Sequence, residues 1–216
     1  DAAECPPTFS LEKETIQGII AGGYQAMFQS IEGAEDNYKD GYNIISSYKI
    51  KSNDIVIGIS ASGNTPFVIG AIEASNTIGC ITSLITNNLV ENIKINHIIP
   101  LITGPEIITG STRMKAGTAT KMVLNMITTT SMIKLNKTYG NYMVDLNASN
   151  NKLWDRGARI ISDITGLVHN DSLTSLKRAK GKVKVAILMI LKECSYNDAE
   201  HYLEESRGSL KKAMKI

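Results

Sequence analysis

The stretch DIVIGISASGNTPFVIGAIEASNTIGCITSLITN, residues 54–87, decides the fold that the sequence predicts. Residues 54–60 form an almost continuous β-branched run, which is typical of a strand buried on both faces of a parallel sheet. A helix pattern follows at residues 66–74, and it begins with a proline, which is favoured in the first turn. A second strand is expected at residues 80–87. This order of strand, helix and strand predicts a parallel α/β unit.

The segments around this unit extend the prediction in both directions. Residues 97–103 predict a third strand, and residues 11–28 predict two short helices separated by Gly22 and Gly23. A long helix is expected within residues 109–134, suited to a core or a dimer interface. The side chains that it offers for burial are Met122, Val123, Met126, Ile127 and Met132.

Beyond residue 150 the pattern changes to short amphipathic helices. They are expected at residues 153–164, 172–179, 182–192 and 197–205, with Asp171 and Ser195 as residues that favour helix starts. The predicted fold class is therefore α/β, with a doubly wound parallel-sheet domain in three αβα layers at residues 1–150. A small all-helical subdomain is expected at residues 151–216.

Composition excludes several classes of function. The 216 residues are 43% hydrophobic, enough for a sizeable core, and 23 basic residues nearly balance 21 acidic ones. A formal charge of +2 gives no general attraction for nucleic acid or anionic lipid. The longest apolar run, residues 185–191, is too short to span a membrane. We expect a protein with neither a nucleic acid nor a membrane partner.

The cysteines and histidines indicate no metal site. Three widely spaced cysteines without a CxxC pair predict neither a disulfide framework nor a thiolate zinc site, and they fit the cytoplasm. His169 and His201 lack the spacing of metal ligands, so we interpret both as structural or surface residues.

The loop at residues 59–66, ISASGNTP, is the strongest local signal. Its hydroxyl groups and the backbone amides of the following helix start predict an anion site at the carboxyl end of a strand, where open α/β sheets bind ligands. Phosphate is the expected ligand, although the same serines would also serve to cap a helix. Arg113 and Lys115 are either counter-charges or helix-surface residues. The candidate loop residues are Ser60, Ser62, Gly63, Asn64 and Thr65.

Two acidic clusters precede this loop, at Glu4 and at Glu32, Glu35 and Asp36. Taken alone they are typical of solvated helix ends. Glu4 lies among small residues and prolines, where partial burial would favour its protonated form near neutral pH.

Six ordered blocks carry a family resemblance. The chain resembles the bacterial N-acetylmuramic acid 6-phosphate etherases, which belong to the sugar isomerase (SIS) domain proteins. The blocks are DAAECPPTF, IIAGG, EGAED, GISASGNTP, GPEIITGSTRMKAGTATKMVLNMI and YGNYMVDLNASNNKL, at residues 1–9, 19–23, 32–36, 58–66, 104–127 and 139–153.

The resemblance implies an enzyme that releases D-lactate from N-acetylmuramic acid 6-phosphate by elimination across C2 and C3, followed by addition of water. It implies a homodimer that needs no metal or organic cofactor. It also implies that Glu4 is the proton donor and Glu35 the second catalytic carboxylate. Relatives carry about eighty further residues before this point, and the chain lacks an initiator methionine, so we expect a truncated form.

Two other interpretations remain open at this stage. An aldose-ketose isomerase of the same superfamily would need the phosphate site without the two glutamates. A sugar-phosphate sensor similar to the glucokinase regulatory protein would bind phosphosugar without turnover. Release of D-lactate separates both from an etherase.

Overall fold

The structure, a computed structural model, describes residues 1–91, 94–146, 148 and 150–216. Asn147 and Ser149, which belong to the sixth family block, lie outside the described residues. The helices are α1 (Cys5–Phe9), a 3₁₀ helix (Gly23–Met27), α2 (Tyr38–Ser47), α3 (Pro66–Ile78), α4 (Lys115–Lys134), α5 (Asn151–Thr165), α6 (His169–Arg178), α7 (Val183–Leu191), α8 (Tyr196–Glu205) and α9 (Leu210–Ala213). The strands are β1 (Ile55–Ile59), β2 (Ile81–Thr86) and β3 (His97–Pro100).

The described chain divides into two compact units. One consists of Asp1–Gln17 together with Asn125–Ile216, and the other of Gly18–Leu124. The domain boundary expected at residue 150 stays a prediction.

The Gly18–Leu124 unit contains a parallel sheet in the order β1-β2-β3. Helix α3 crosses between β1 and β2 and packs on both strands. Ile72 is fully buried there, and a Cβ atom at Gly58 would meet its side chain, so α3 lies directly on β1. The predicted α/β class with its parallel sheet is confirmed.

Helix α2 was not predicted, and it packs closely on α3. Asn37 caps its start by accepting a hydrogen bond from the Asp40 amide at 3.1 Å. The helices approach through two glycines, because a Cβ atom at Gly41 would overlap the Phe67 carbonyl and one at Gly70 would overlap the Tyr38 carbonyl. This contact fixes the segment before α2 against the first turn of α3.

Gly41→Ala is expected to lower the free energy of unfolding by about 2–3 kcal/mol, because overpacking against backbone cannot be relieved by a rotamer change. Urea denaturation measures the loss. Gly117→Ala is the matched control, since its Cβ atom meets nothing closer than the Thr112 carbonyl at 3.3 Å. Equal stability of wild type and Gly41→Ala would contradict the close contact.

One of the two short helices expected within residues 11–28 was wrong. Residues 11–22 form no helix, whereas the break expected at Gly22 and Gly23 is present, with positive φ angles of 81° and 68° that turn the chain. In α4, Met132 is buried, whereas Met122 and Met126 are more than half exposed. Met132 therefore contributes to the core, and the dimer interface expected as the alternative for this helix stays a prediction for Met122 and Met126.

The other unit contains helices α5–α9, of which the sequence predicted α5–α8 but not α9. Ser195 caps α8 in a capping box with Asp198, whereas Asp171 lies inside the first turn of α6 and Val168 is the residue before it. The core of this unit is built mainly by α5, α6 and α7, and α8, α9 and the segment before α5 complete it. These complete it through Ala199, Leu210, Ala213, Val144, Leu146 and Ala148.

The buried Lys184 of α7 lies beside Asp145, whose carbonyl in turn binds the end of α1. The Lys184 ammonium donates to the carbonyls of Asn136 and Gly208 at 2.8 and 2.9 Å and lies 3.3 Å from an Asp145 carboxylate oxygen. Burial lowers the pKa of Lys184, and the Asp145 charge opposes that shift. The Asp145 carbonyl in turn accepts a hydrogen bond from the Ser10 hydroxyl, 2.8 Å away at the end of α1.

Candidate functional site

The serine loop, residues 60–65, lies between the carboxyl end of β1 and the start of α3. Ser60 is buried, and its amide continues the sheet by donating to the Ile85 carbonyl at 3.0 Å. Its hydroxyl lies 2.6 Å from the Thr65 hydroxyl and 3.2 Å from the Ser62 hydroxyl, and it accepts the Gly63 amide at 3.0 Å. The predicted hydroxyl groups are therefore gathered around Ser60.

The start of α3 offers fewer amides than the sequence predicted. Thr65 is its N-cap but makes no side-chain capping bond, Pro66 has no N–H group, and the Phe67 amide donates to the Glu35 carbonyl at 3.0 Å. An anion here would rely mainly on hydroxyl groups and loop amides. Ser62 and Asn64 are exposed, so their side chains are accessible to a ligand.

Gly63 has a structural reason to be glycine. Its φ angle is +82°, and a Cβ atom there would overlap Val90 and lie 2.9 Å from the Thr86 hydroxyl oxygen. The Ala61 carbonyl accepts the Asn87 amide and the Asn88 side-chain amide, each at 3.0 Å. The segment that follows β2 therefore supports the loop that follows β1.

Sequence reasoning missed Asn87 and Asn88. The signal was present, because two amide side chains directly follow a buried strand at the edge where the serine loop also lies. Asn87 also donates through its side chain to the Leu101 carbonyl at 3.1 Å, just after β3. The ends of the three strands are thereby joined.

Glu35 is attached by its backbone to the helix that follows the serine loop. The hydrogen bond from the Phe67 amide holds the Glu35 carbonyl, and α2 begins three residues later at Tyr38. The Glu35 side chain is exposed. Its carboxylate therefore projects into solvent from a backbone position fixed beside the first turn of α3.

Glu4 lies in the other unit, as the N-cap residue of α1. It is exposed, and its side chain makes no capping bond. The prediction that Glu4 is partly buried is wrong, because the neighbouring Cys5 points into the core instead, with 4% exposure. Glu4 and Glu35 thus belong to separate units of the structure.

Arg113 and Lys115 lie at the start of α4. The Lys115 ammonium donates to the Pro105 carbonyl at 2.8 Å, and the Arg113 amide donates to the Ser111 hydroxyl at 3.2 Å. Glu106 accepts the amides of Lys115 and Ala116 at 3.1 and 3.0 Å, and these bonds lower the pKa of its carboxyl. These recorded contacts do not join either basic residue to the serine loop, so their binding role stays a prediction.

No group of His, Cys, Asp and Glu side chains able to hold a metal ion is found among the described residues. In the same part of the chain, no helix combines the length and the apolar character needed to span a membrane.

Two family models match parts of the chain. The glucokinase regulatory protein N-terminal SIS domain matches residues 3–76, and the C-terminal lid domain of glucokinase regulatory protein matches residues 140–184. The serine loop, Glu4 and Glu35 all lie within the first match.

Curated relatives match almost the whole chain. Proteins named N-acetylmuramic acid 6-phosphate etherase are 50% identical over 218 residues in Clostridium acetobutylicum and 44% identical over 216 residues in Geobacillus thermodenitrificans. A third, from Picosynechococcus, is 45% identical over 217 residues. The matches cover 99–100% of this chain and 72–73% of the relatives.

Proposed function

Because the chain belongs to the N-acetylmuramic acid 6-phosphate etherase family, we propose that Glu4, Glu35 and the serine loop perform the lyase-type reaction of that family. The substrate is N-acetylmuramic acid 6-phosphate, and the products are D-lactate and N-acetylglucosamine 6-phosphate. The isomerase and sensor alternatives are not favoured, since the relatives that cover nearly the whole chain carry the etherase name.

One observation carries the assignment of the binding and catalytic groups. The Phe67 amide bonds to the Glu35 carbonyl at 3.0 Å, and Phe67 is the second residue of the helix that directly follows the serine loop. A phosphate held by the hydroxyls of that loop would keep the sugar at a fixed offset from Glu35. This arrangement supports a carboxylate that acts on a phosphate-anchored substrate.

The reaction needs one group that removes a proton and one that donates a proton. In our proposal Glu35 removes the C2 proton of the open-chain sugar, which the C1 aldehyde makes acidic. The electron pair forms a C2–C3 double bond as the C3–O bond breaks, and Glu4 protonates the departing ether oxygen. Water then adds at C3 and a proton returns to C2, which gives the product sugar.

Two carboxyl groups suit this division of work because one must be ionised while the other is protonated. Glu4 and Glu35 are exposed in this structure. We propose that bound substrate excludes water from both groups, which strengthens their interactions with the reacting atoms.

Ser62→Ala is expected to raise KM for the phosphosugar about 10- to 100-fold with little change in kcat. A hydrogen bond to a charged group contributes about 1.5–3 kcal/mol, and each 1.4 kcal/mol is tenfold in affinity. Titration calorimetry with N-acetylglucosamine 6-phosphate measures the binding loss directly. Ser46→Ala is the control, since Ser46 is exposed in the same unit and its hydroxyl donates locally to the Asn43 carbonyl at 2.8 Å. Unchanged KM in Ser62→Ala would contradict the phosphate site.

We also propose that the protein acts in the cytoplasm and as a homodimer. The three unpaired cysteines suit a reducing compartment. Along α4, the exposed side chains of Met122, Met126 and Ile133 recur at helical spacing, which supports an apolar contact face for a second copy.

Met126→Asp is expected to convert the dimer to a monomer, because a carboxylate placed in an apolar interface would be desolvated without a partner. Sedimentation equilibrium measures the mass. Lys121→Asp, about 140° around the axis of α4 from Met126, is expected to leave the dimer intact. A wild-type protein that sediments as a monomer would overturn the proposal.

A further inference from the structure

The side chain of Asp1 is bound by two residues of α4. The Asn125 side-chain amide donates to one oxygen of the Asp1 carboxylate, and the Thr128 hydroxyl donates to the other oxygen at 2.8 Å. Asn125 and Thr128 are three residues apart on one helix, so their side chains lie on the same face. Each oxygen of the carboxylate thus has its own donor, and all three residues belong to the same compact unit.

The backbone of Asp1 holds the residue that we assign as the acid. The Asp1 carbonyl accepts the amides of Glu4 and Cys5 at 3.1 and 3.0 Å. Asp1 therefore binds α4 through its side chain and the start of α1 through its main chain. Burial of the Cys5 side chain fixes the direction in which Glu4 leaves this turn.

No capping hydrogen bond orients the Glu4 side chain. It is exposed and does not cap α1, so its position depends on the backbone turn from Asp1 to Cys5. That turn is tied to α4 by the two bonds to the Asp1 carboxylate. Hydrogen bonds to an ionised group are stronger than hydrogen bonds between neutral groups, so they are suited to fix the position of a short segment.

We propose that Asn125 and Thr128 are positioning residues that act through Asp1 to set the carboxyl of Glu4 against the ether oxygen of the substrate. This inference rests on the proposed function, because it needs Glu4 to be the proton donor. Neither residue touches the reacting atoms. Their effect is on kcat, since a proton donor displaced by about 1 Å costs up to 100-fold in rate while the phosphate site is untouched.

The test is a charge exchange between Asp1 and Asn125 in the protein as its gene encodes it. Asn125→Asp places two carboxylates against each other and is expected to lower kcat about 30- to 100-fold, with KM within about twofold of wild type. Asp1→Asn alone is expected to lower kcat less, because its amide oxygen can accept from Asn125 and its NH₂ group can donate to the Thr128 hydroxyl, so only the charge of the acceptor is lost. The double variant Asp1→Asn/Asn125→Asp restores a donor and an acceptor in exchanged places, and it should recover most of the lost kcat.

Threonine variants provide an independent arm. Thr128→Val removes the hydroxyl at constant shape and is expected to lower kcat about tenfold, whereas Thr128→Ser should stay near wild type. Thr129→Val is the control on the next residue of α4, which is exposed. Thermal unfolding midpoints distinguish a positioning role from a loss of stability. A merely structural role would lower the midpoint and kcat together, and the double variant Asp1→Asn/Asn125→Asp would not restore kcat by itself.

The outcomes distinguish this inference from the proposed function. If Glu4→Gln keeps wild-type kcat, the assignment of Glu4 as the acid fails and the inference fails with it. If Glu4→Gln is inactive while Asn125→Asp and Thr128→Val keep wild-type kcat, only the positioning role fails. Absence of recovery in the double variant also overturns it.

Discussion

Glu4→Gln is expected to abolish D-lactate release, with kcat lowered about 10²- to 10⁴-fold, in the protein as its gene encodes it. Glutamine keeps the shape of the side chain but cannot protonate the ether oxygen, and an alkoxide is a poor leaving group. Binding of N-acetylglucosamine 6-phosphate should stay near wild type, because Glu4 takes no part in the proposed phosphate site. An enzyme-coupled D-lactate assay and calorimetry measure the two effects.

Glu12→Gln is the matched control for this variant. Glu12 is also exposed and lies in the same unit, shortly after α1. It should keep wild-type kcat. Wild-type lactate release in Glu4→Gln would remove Glu4 from the mechanism.

Glu35→Gln is expected to lower lactate release by a comparable factor, but at the earlier step. Without the carboxylate, the C2 proton is not removed, so the substrate in D₂O should gain no deuterium at C2. In Glu4→Gln the base is intact, and exchange at C2 should continue without release of lactate. Proton NMR of the recovered substrate therefore separates the base from the acid.

Asp36→Asn is the control for Glu35, since it is the next residue and is exposed as well. It should retain both C2 exchange and lactate release. If Glu35→Gln retained C2 exchange, the base would be another group. If instead Glu4→Gln lost exchange and Glu35→Gln kept it, the two roles would be reversed.

The sequence predicted the central part of the fold because local signals there agree with one another. The β-branched run of β1, the proline at the start of α3 and the second apolar run of β2 each point to one element. Observed bounds differ by a few residues, as in α3, which continues to Ile78 beyond the predicted residue 74.

Long-range contacts explain what the sequence did not predict. Helix α2 packs on α3 through Gly41 and Gly70, and a glycine in a single sequence does not reveal the backbone that approaches it. Of the two short helices expected within residues 11–28, only the second has a helical counterpart, the 3₁₀ helix Gly23–Met27, although the apolar spacing of residues 11–20 was adequate. Apolar spacing is a weak guide to a short helix, because tertiary contacts can override local propensity.

The candidate site was predictable only in its residue types. The serine loop was recognised from its hydroxyl groups after a strand, and the structure gathers them around Ser60. The bond between Phe67 and Glu35 joins residues 32 positions apart, and no local pattern indicates it. The exposure of Glu4 likewise depends on Cys5 occupying the core in its place.

The most direct test of the central claim is the fate of oxygen when the protein cleaves N-acetylmuramic acid 6-phosphate in water enriched in ¹⁸O. Elimination breaks the bond between C3 and the ether oxygen, and water then adds at C3. Mass spectrometry of fragments that exclude C1, whose aldehyde oxygen exchanges with water, should therefore find the heavy oxygen at C3 of N-acetylglucosamine 6-phosphate and none at the former ether position of D-lactate. Label in the lactate hydroxyl, or the absence of lactate release, would contradict the account.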